Sequence, residues 1–311
     1  MNVLIAGGAG YIGTTLVPLL LERGHTVTVL DTLLFGIEPI VPLFRHPRFT
    51  FARVDIRDRD ALNESSRSAD AFVHLAAIVG YPACAAKPDA ARSTNVDGVQ
   101  NLAAVAGRGR PVVFASTSSC YGEASGAVCT EETPLRPASL YGQTKAEAES
   151  ILLDRCDTIV YRLATVFGVS PRLRLDTMVN DFTYRAIHQR RLDVYEPGHR
   201  RSFLHVLDVA RAILMALERP REMIGRAFNV GDERHNYTKR EVCRVIEEIV
   251  PGVEVGRAAT GHDVDHRNYA IDYARIRGLG FEATVSLEQG VREVARVARW
   301  IERPEPYSNV Y

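Results

Sequence analysis

The chain has 311 residues, with 38 basic and 38 acidic side chains, and 46% of it is apolar. That is enough apolar material for a full core, and the balanced charge argues against a nucleic-acid or membrane-surface role. Five widely spaced cysteines with no CxxC pair do not read as a disulfide framework, and no stretch is apolar enough to span a membrane. Met1 leads straight into an apolar run without a basic leader, so the cytoplasm is the expected address.

Residues 2–6 (NVLIA) form a short apolar run that predicts a strand, followed by Gly7-Gly8-Ala9-Gly10-Tyr11-Ile12-Gly13. An amphipathic helix comes next, with Leu16, Leu19 and Leu20 at helical spacing, closed by Gly24; a second strand, 26–30, then ends on Asp31. A diphosphate can approach backbone and helix N-terminus only where no side chain intervenes. Gly7 is therefore read as permitting the turn, Gly10 the close approach and Gly13 the packing of helix on sheet, with Tyr11 and Ile12 lining the same turn. A carboxylate at the end of the second strand accepts hydrogen bonds from a ribose diol and repels a 2′-phosphate, so Asp31 favours NAD over NADP. A glycine pattern alone is also compatible with a plain turn; with strand, helix, strand and acid in register it reads as a dinucleotide cradle.

Beyond a loop over 32–47, a strand at 49–54 delivers Asp55 and Ile56 to its end, where an adenine would lie between them; capping of a helix by Asp55 or Asp58 is the competing reading. A strand at 71–75 runs into Leu75-Ala76-Ala77, small residues that let a cofactor cross the sheet edge. One long helix is expected over 88–107, carrying Asn95, Gly98 and Asn101. A strand at 111–116 leads to Thr117-Ser118-Ser119-Cys120-Tyr121-Gly122, a helix from about Ser139 contains Tyr141 and Lys145, and a strand follows at 158–163. This alternation predicts an α/β fold with a doubly wound parallel sheet, whose ligand sites lie at the carboxyl ends of the strands. The later pattern is looser: a helix over 178–190, strands near 192–195 and 203–206, a helix over 207–218, a strand at 227–230 that rejoins the main sheet, and helices near 239–249 and 287–300. The expected division is a Rossmann domain over 1–168, joined by about 203–231, and a smaller interleaved lobe made mainly of 169–311.

Tyr141 and Lys145 are four apart on the predicted helix and so share a face. Bringing a phenol from a pKa near 10 to about 7 takes roughly 4 kcal/mol of preferential stabilisation of the phenolate. One cation at about 4 Å supplies that order of energy at an effective dielectric of about 20. Lysine together with an oxidised nicotinamide would make Tyr141 a general base near neutrality, and a hydroxyl at the preceding strand end, Thr117 or Ser118, would bridge substrate oxygen and phenol.

With Gly7-x-x-Gly10-x-x-Gly13, Asp31, Asp55-Ile56, His74-Leu75-Ala76-Ala77, Asn95 with Gly98, the Ser-Thr-x-x-x-Tyr-Gly stretch at 116–122, Tyr141-Gly-x-x-Lys145, Arg162 and Arg201-Ser-Phe-Leu-His205-Val-x-Asp208 in place, the chain resembles an extended short-chain dehydrogenase/reductase of the nucleotide-sugar epimerase/dehydratase branch. The resemblance covers nearly the whole chain. It implies that Thr117 is the catalytic hydroxyl, that Tyr141 deprotonates the sugar 4-hydroxyl, and that Lys145 holds the nicotinamide ribose and lowers the tyrosine pKa. Asn95, on the cofactor side, would brace the helix carrying the site. It further implies that Arg201 binds the nucleotide diphosphate, that Asn180 begins the substrate-lobe helix, and that Tyr195 runs along the base. Tyr81, Ser118, Ser119 and Thr165 are expected around the sugar. The implied ligands are NAD and a nucleotide-diphosphate sugar, and the implied assembly is a homodimer through the Asn95 and Tyr141 helices.

Two departures narrow the expectation. Dehydratases of the family carry Asp-Glu directly after the catalytic threonine and decarboxylases a glutamate, whereas this chain has Ser118-Ser119. That favours 4-epimerisation, which needs only oxidation, turning of the ketone and reduction from the other face; an atypical dehydratase or 4-keto reductase is the alternative. Near the C-terminus the family's diphosphate-gripping arginine run is replaced by 259–263 (ATGHD), leaving Arg267 as the expected substitute. The Ile78-Val79-Gly80-Tyr81-Pro82 loop and Ser170-Pro171-Arg172-Leu173-Arg174 are expected to shape the sugar pocket. His262, Asp263, Asp265 and His266 have spacing that would suit a metal, but a loop in a family that needs none is read as metal-free. A non-catalytic NAD-binding sensor is the reading from another class, and the intact Thr117, Tyr141 and Lys145 count against it.

Overall fold

The computed structural model describes residues 1–122, 128–259, 261, 264 and 268–309. Seven parallel strands form one sheet in the order Arg226–Val230, Asp157–Leu163, Pro111–Thr117, Ala71–His74, Asn2–Ala6, Thr26–Asp31, Phe49–Arg53. Strands buried on both faces need continuous apolar runs, and Val3, Leu4, Ile5, Phe72, Val73, Val112, Val113 and Phe114 supply them at 1% exposure or less. Helices cover both faces. Gly13–Glu22 and Val206–Glu218 pack on one with Leu16, Val17 and Ile213; Gly98–Ala106 and Leu140–Arg155 pack on the other with Leu102, Ala148 and Leu152.

The order reverses beside Asn2–Ala6, so the crevice at the strand carboxyl ends opens above the glycine turn. Gly7 sits at φ +83°, and a Cβ there would fall 2.4 Å from the Ala76 amide nitrogen. Gly13 closes on the turn itself and not on the sheet: its Cβ would lie 2.4 Å from the Gly8 carbonyl oxygen.

The strand Arg200–His205 does not enter the main sheet. It pairs in parallel with Thr165–Phe167 and antiparallel with Asn236–Thr238, forming a three-stranded sheet over the crevice. Arg191–Val194 pairs with Glu254–Arg257, and the helices Met178–Gln189, Lys239–Ile249 and Leu287–Ala298 pack around Phe167, Phe203, Val242 and Val291. The helix expected over 88–107 is not continuous. Pro88–Arg92 passes through a wide π turn, Ser93–Asp97, before Gly98–Ala106 begins. The break lies at Asn95, whose side-chain amide is drawn to backbone outside the helix. The loop expected at 78–82 ends in a short helix, Tyr81–Ala86.

Among the described residues no helix is long and apolar enough to cross a membrane, and no His, Cys, Asp and Glu group has metal-site geometry. His262, Asp263, Asp265, His266 and Arg267 lie outside the described residues.

Candidate active site

One continuous cleft of about 920 Å³ runs from the glycine turn to the second lobe. That is at the upper end of small-molecule sites. Its cofactor end is lined by Gly7, Gly10, Tyr11, Ile12, Asp31, Asp55, Ile56, Leu75, Ala76 and Ala77. Asp31 is held in place by two backbone amides, Ala9 at 3.0 Å and Leu33 at 2.9 Å, and burial raises its pKa above the usual carboxylate range. The competing roles at 55–58 separate: Asp58 caps Arg59–Ser65 through the Ala61 amide, while Asp55 stays in the cleft wall, gripped by Arg57 at 2.5 Å. Ile56 is pressed into position by the helix behind it. A Cβ at Gly98 would lie 2.6 Å from the Ile56 side chain, and Asn101 donates to the carbonyls of Ile56 and Arg57 at 3.2 and 2.9 Å. Among the described residues the amides of Tyr11 and Ile12 have no acceptor within the protein. With the bare Gly10 backbone beside them, these donors fit a dinucleotide diphosphate.

Ser139 caps the helix Leu140–Arg155 by accepting from the Gly142 amide at 3.2 Å, and this sets Tyr141 at the first turn, facing the end of the strand Pro111–Thr117. The Tyr141 hydroxyl shares a hydrogen bond with Thr117, whose oxygen also accepts from the Ser119 amide at 3.1 Å. Lys145 lies one turn on, 3% exposed, with its ammonium 4.2 Å from the centre of the Phe114 ring. The strand and helix are locked together behind the site. Arg162 donates to Glu149 at 2.8 to 3.3 Å, and the Ser116 hydroxyl donates to the same carboxylate.

The electrostatics differ from the expectation in one respect. Burial is the largest influence on both groups: it pushes the Tyr141 phenol up and brings Lys145 down to about 8. The Arg174 charge and the Thr117 hydrogen bond pull the phenol the other way, and Cys120, Glu149 and Cys84 hold the lysine up. The low-dielectric pocket therefore favours a neutral phenol until a further positive charge faces it. Neighbouring His74 stacks on Phe114 and is held neutral, its pKa brought to about 3 by burial and the lysine charge.

Tyr81, Thr165, Ser118, Ser119, Tyr195 and Arg201 also line the cleft. Two expected ligand contacts do not reach its wall. Asn95 spends its amide on the Ile78 backbone, at 2.8 and 3.0 Å, and on Thr144 at 3.2 Å, so it braces the loop and the Tyr141 helix and does not face a cofactor. Asn180 is fully buried, clamped to Gly168 and to the carbonyl of Arg174, and stands behind the substrate end. Arg174 was expected at the pocket, but its pairing with Asp176 was not, and sequence reasoning missed Arg185 with Asp181, and Lys239, whose ammonium lies 3.8 Å from the Tyr195 ring centre. The arginine pairs carried a weak signal in their i,i+2 and i,i+4 spacing; Lys239 carried none.

The model of the family described as "NAD dependent epimerase/dehydratase family" matches residues 3–231. The chain is 31% identical to the low-salt glycan biosynthesis protein Agl12 of Haloferax volcanii, over 94% of this chain and 96% of that one. It is 32% identical to a dTDP-glucose 4,6-dehydratase of Streptomyces griseus, over 93% and 92% of the two chains. In structure it is similar to the NAD complex of UDP-glucose 4-epimerase from Thermus thermophilus, with a TM-score of 0.82 and 28% identity, covering 96% of this chain and 99% of that one.

Proposed function

Since the chain belongs to the NAD dependent epimerase/dehydratase family, we propose that it is a nucleotide-sugar 4-epimerase that inverts C4 through a transient 4-keto sugar and keeps its NAD through the cycle. NAD supplies the redox couple that takes C4 to a ketone and back. In this reading the Tyr141 oxygen takes the proton of the C4 hydroxyl and returns it after the ketone has turned, the Thr117 hydroxyl bridges the C4 oxygen to the phenol, and the Lys145 ammonium favours the phenolate. Arg201 and Tyr195 face the nucleotide, and Arg267 remains the proposed second grip on its diphosphate.

The observation that carries the choice of epimerase is the state of the acids in the cleft. Eliminating a 6-hydroxyl requires an acid and a base besides the tyrosine. Ser118 and Ser119 supply neither, and the Ser118 carbonyl is already taken by the Tyr269 hydroxyl at 2.7 Å. Of the carboxylates lining the cleft among the described residues, Asp55, Asp176, Asp181 and Asp193 are each paired with an arginine. Asp31 stands at the cofactor end, held by amides.

The deciding experiment incubates the purified protein, without added reductant, with UDP-, dTDP-, GDP- and CDP-hexoses and follows the sugars by NMR. An inverted C4 supports the proposal. Loss of water turns it to an atypical dehydratase, and consumption of NADH, once supplied, to a 4-keto reductase.

A further inference from the structure

We infer that Arg172 is the anion-binding side chain of the cofactor half of the cleft, placed to take the diphosphate of the bound dinucleotide. The inference rests on the NAD dependence of the family and is independent of whether the reaction is an epimerisation. The sequence placed this segment at the sugar; the structure places residue 172 against the glycine turn. The Arg172 amide donates to the Thr14 hydroxyl at 3.2 Å, and the neighbouring Ser170 hydroxyl donates to the Tyr11 carbonyl at 2.7 Å. The second lobe is thereby pinned to the first turn of the helix whose N-terminus faces the cleft. The guanidinium carbon lies 4.0 Å over the ring of Phe35, in the loop that follows Asp31.

What singles Arg172 out is its partners. It is 4% exposed, and among the described residues its hydrogen bonds go only to neutral acceptors: the Leu173 carbonyl at 2.7 Å, the Asn309 side chain at 2.9 Å and the Ser308 carbonyl at 3.4 Å. Among the described residues no carboxylate lies within ion-pairing distance of it, whereas Arg57, Arg174, Arg185 and Lys239 in the same cleft each have one. Asp176, close in sequence, is committed to Arg174 and to the Asn309 amide. An unneutralised cation buried in a wall costs free energy that an anion in the cleft recovers. Burial brings its pKa down to about 10, so it stays charged at neutral pH and is available to that anion.

Phosphate could reach this guanidinium from the dinucleotide diphosphate, from a 2′-phosphate or from the sugar nucleotide, and the test separates them. The full-length chain, freed of nucleotide, is titrated calorimetrically with NAD, ADP, AMP, 2′,5′-ADP and UDP. R172Q should weaken NAD and ADP about 10- to 100-fold, the range of a lost charge-assisted hydrogen bond, with AMP affected less and UDP unchanged. N309D supplies Arg172 with a carboxylate from the protein itself; it should raise the urea midpoint and weaken ADP as well. A loss confined to UDP or to 2′,5′-ADP overturns the assignment, as does wild-type ADP affinity in a folded R172Q. Should R172Q fail to fold, N309D decides: unchanged ADP affinity makes Arg172 a structural clamp for the C-terminal tail and nothing more.

Discussion

Replacing Lys145 with Met should make the protein more stable while abolishing turnover. The lysine pKa falls from 10.5 to about 8, a difference of about 2.5 units, chiefly through burial. At about 1.36 kcal/mol per unit this is about 3 kcal/mol of native-state cost. Methionine keeps the stem's packing, and because the lowered pKa already contains every interaction of the ammonium, its contact with Phe114 included, the expected gain is that same figure of about 3 kcal/mol. The sign follows from proton counts. The unfolded lysine holds its proton up to 10.5 and the folded one releases it near 8, so the wild type gains stability as pH rises through that window. The advantage of K145M is therefore complete at pH 7, shrinks above pH 8 and is gone beyond pH 10.5. Urea unfolding of the nucleotide-free proteins, followed by circular dichroism at pH 7, 9 and 10, measures it. A variant no more stable than wild type at pH 7, or an excess that does not change with pH, would refute the reading of Lys145 as a charge held at the fold's expense.

Three further outcomes are expected. Tyr141→Phe should abolish turnover while NAD affinity, measured by calorimetry, stays within a few-fold of wild type; residual turnover above about one per cent would remove the proposed base. Asp31→Ala should weaken NAD about 10- to 100-fold and narrow the preference over NADP, and an unchanged ratio of the two affinities would discredit the ribose contact. The expected dimer would join the outer faces of Gly98–Ala106 and Leu140–Arg155, where Gln100, Gln143, Glu147 and Ser150 are exposed. Such polar faces predict an association that weakens with salt, and a salt-independent monomer in sedimentation velocity would dismiss it.

The strands of the main sheet and the helices that flank them were legible in the residues because the information is local. Apolar runs of four to seven residues, glycine at a turn that needs φ +83°, and serine before a helix act over one or two turns of chain. The pairing of Tyr141 with Lys145 was legible for the same reason, since four residues are one helical turn. What could not be read was how polar side chains are spent once distant segments meet. Asn95 and Asn180 look like ligand contacts, yet each is consumed by backbone groups of its surroundings, because a buried amide must satisfy its own donors and acceptors first.

The π turn at Asn95 has the same origin. So does the charge balance of the cleft, in which four aspartates are neutralised by arginines, while among the described residues the hydrogen bonds of the Arg172 guanidinium go to carbonyls and to Asn309, from a segment more than a hundred residues away. Periodicity and turn chemistry alone thus determined that this chain builds a dinucleotide-binding sheet with a phenol and an ammonium at its edge. Which charges are spent and which remain for a ligand was decided by tertiary packing, because ion pairs and hydrogen bonds depend on separations of a few ångströms between residues far apart in the chain.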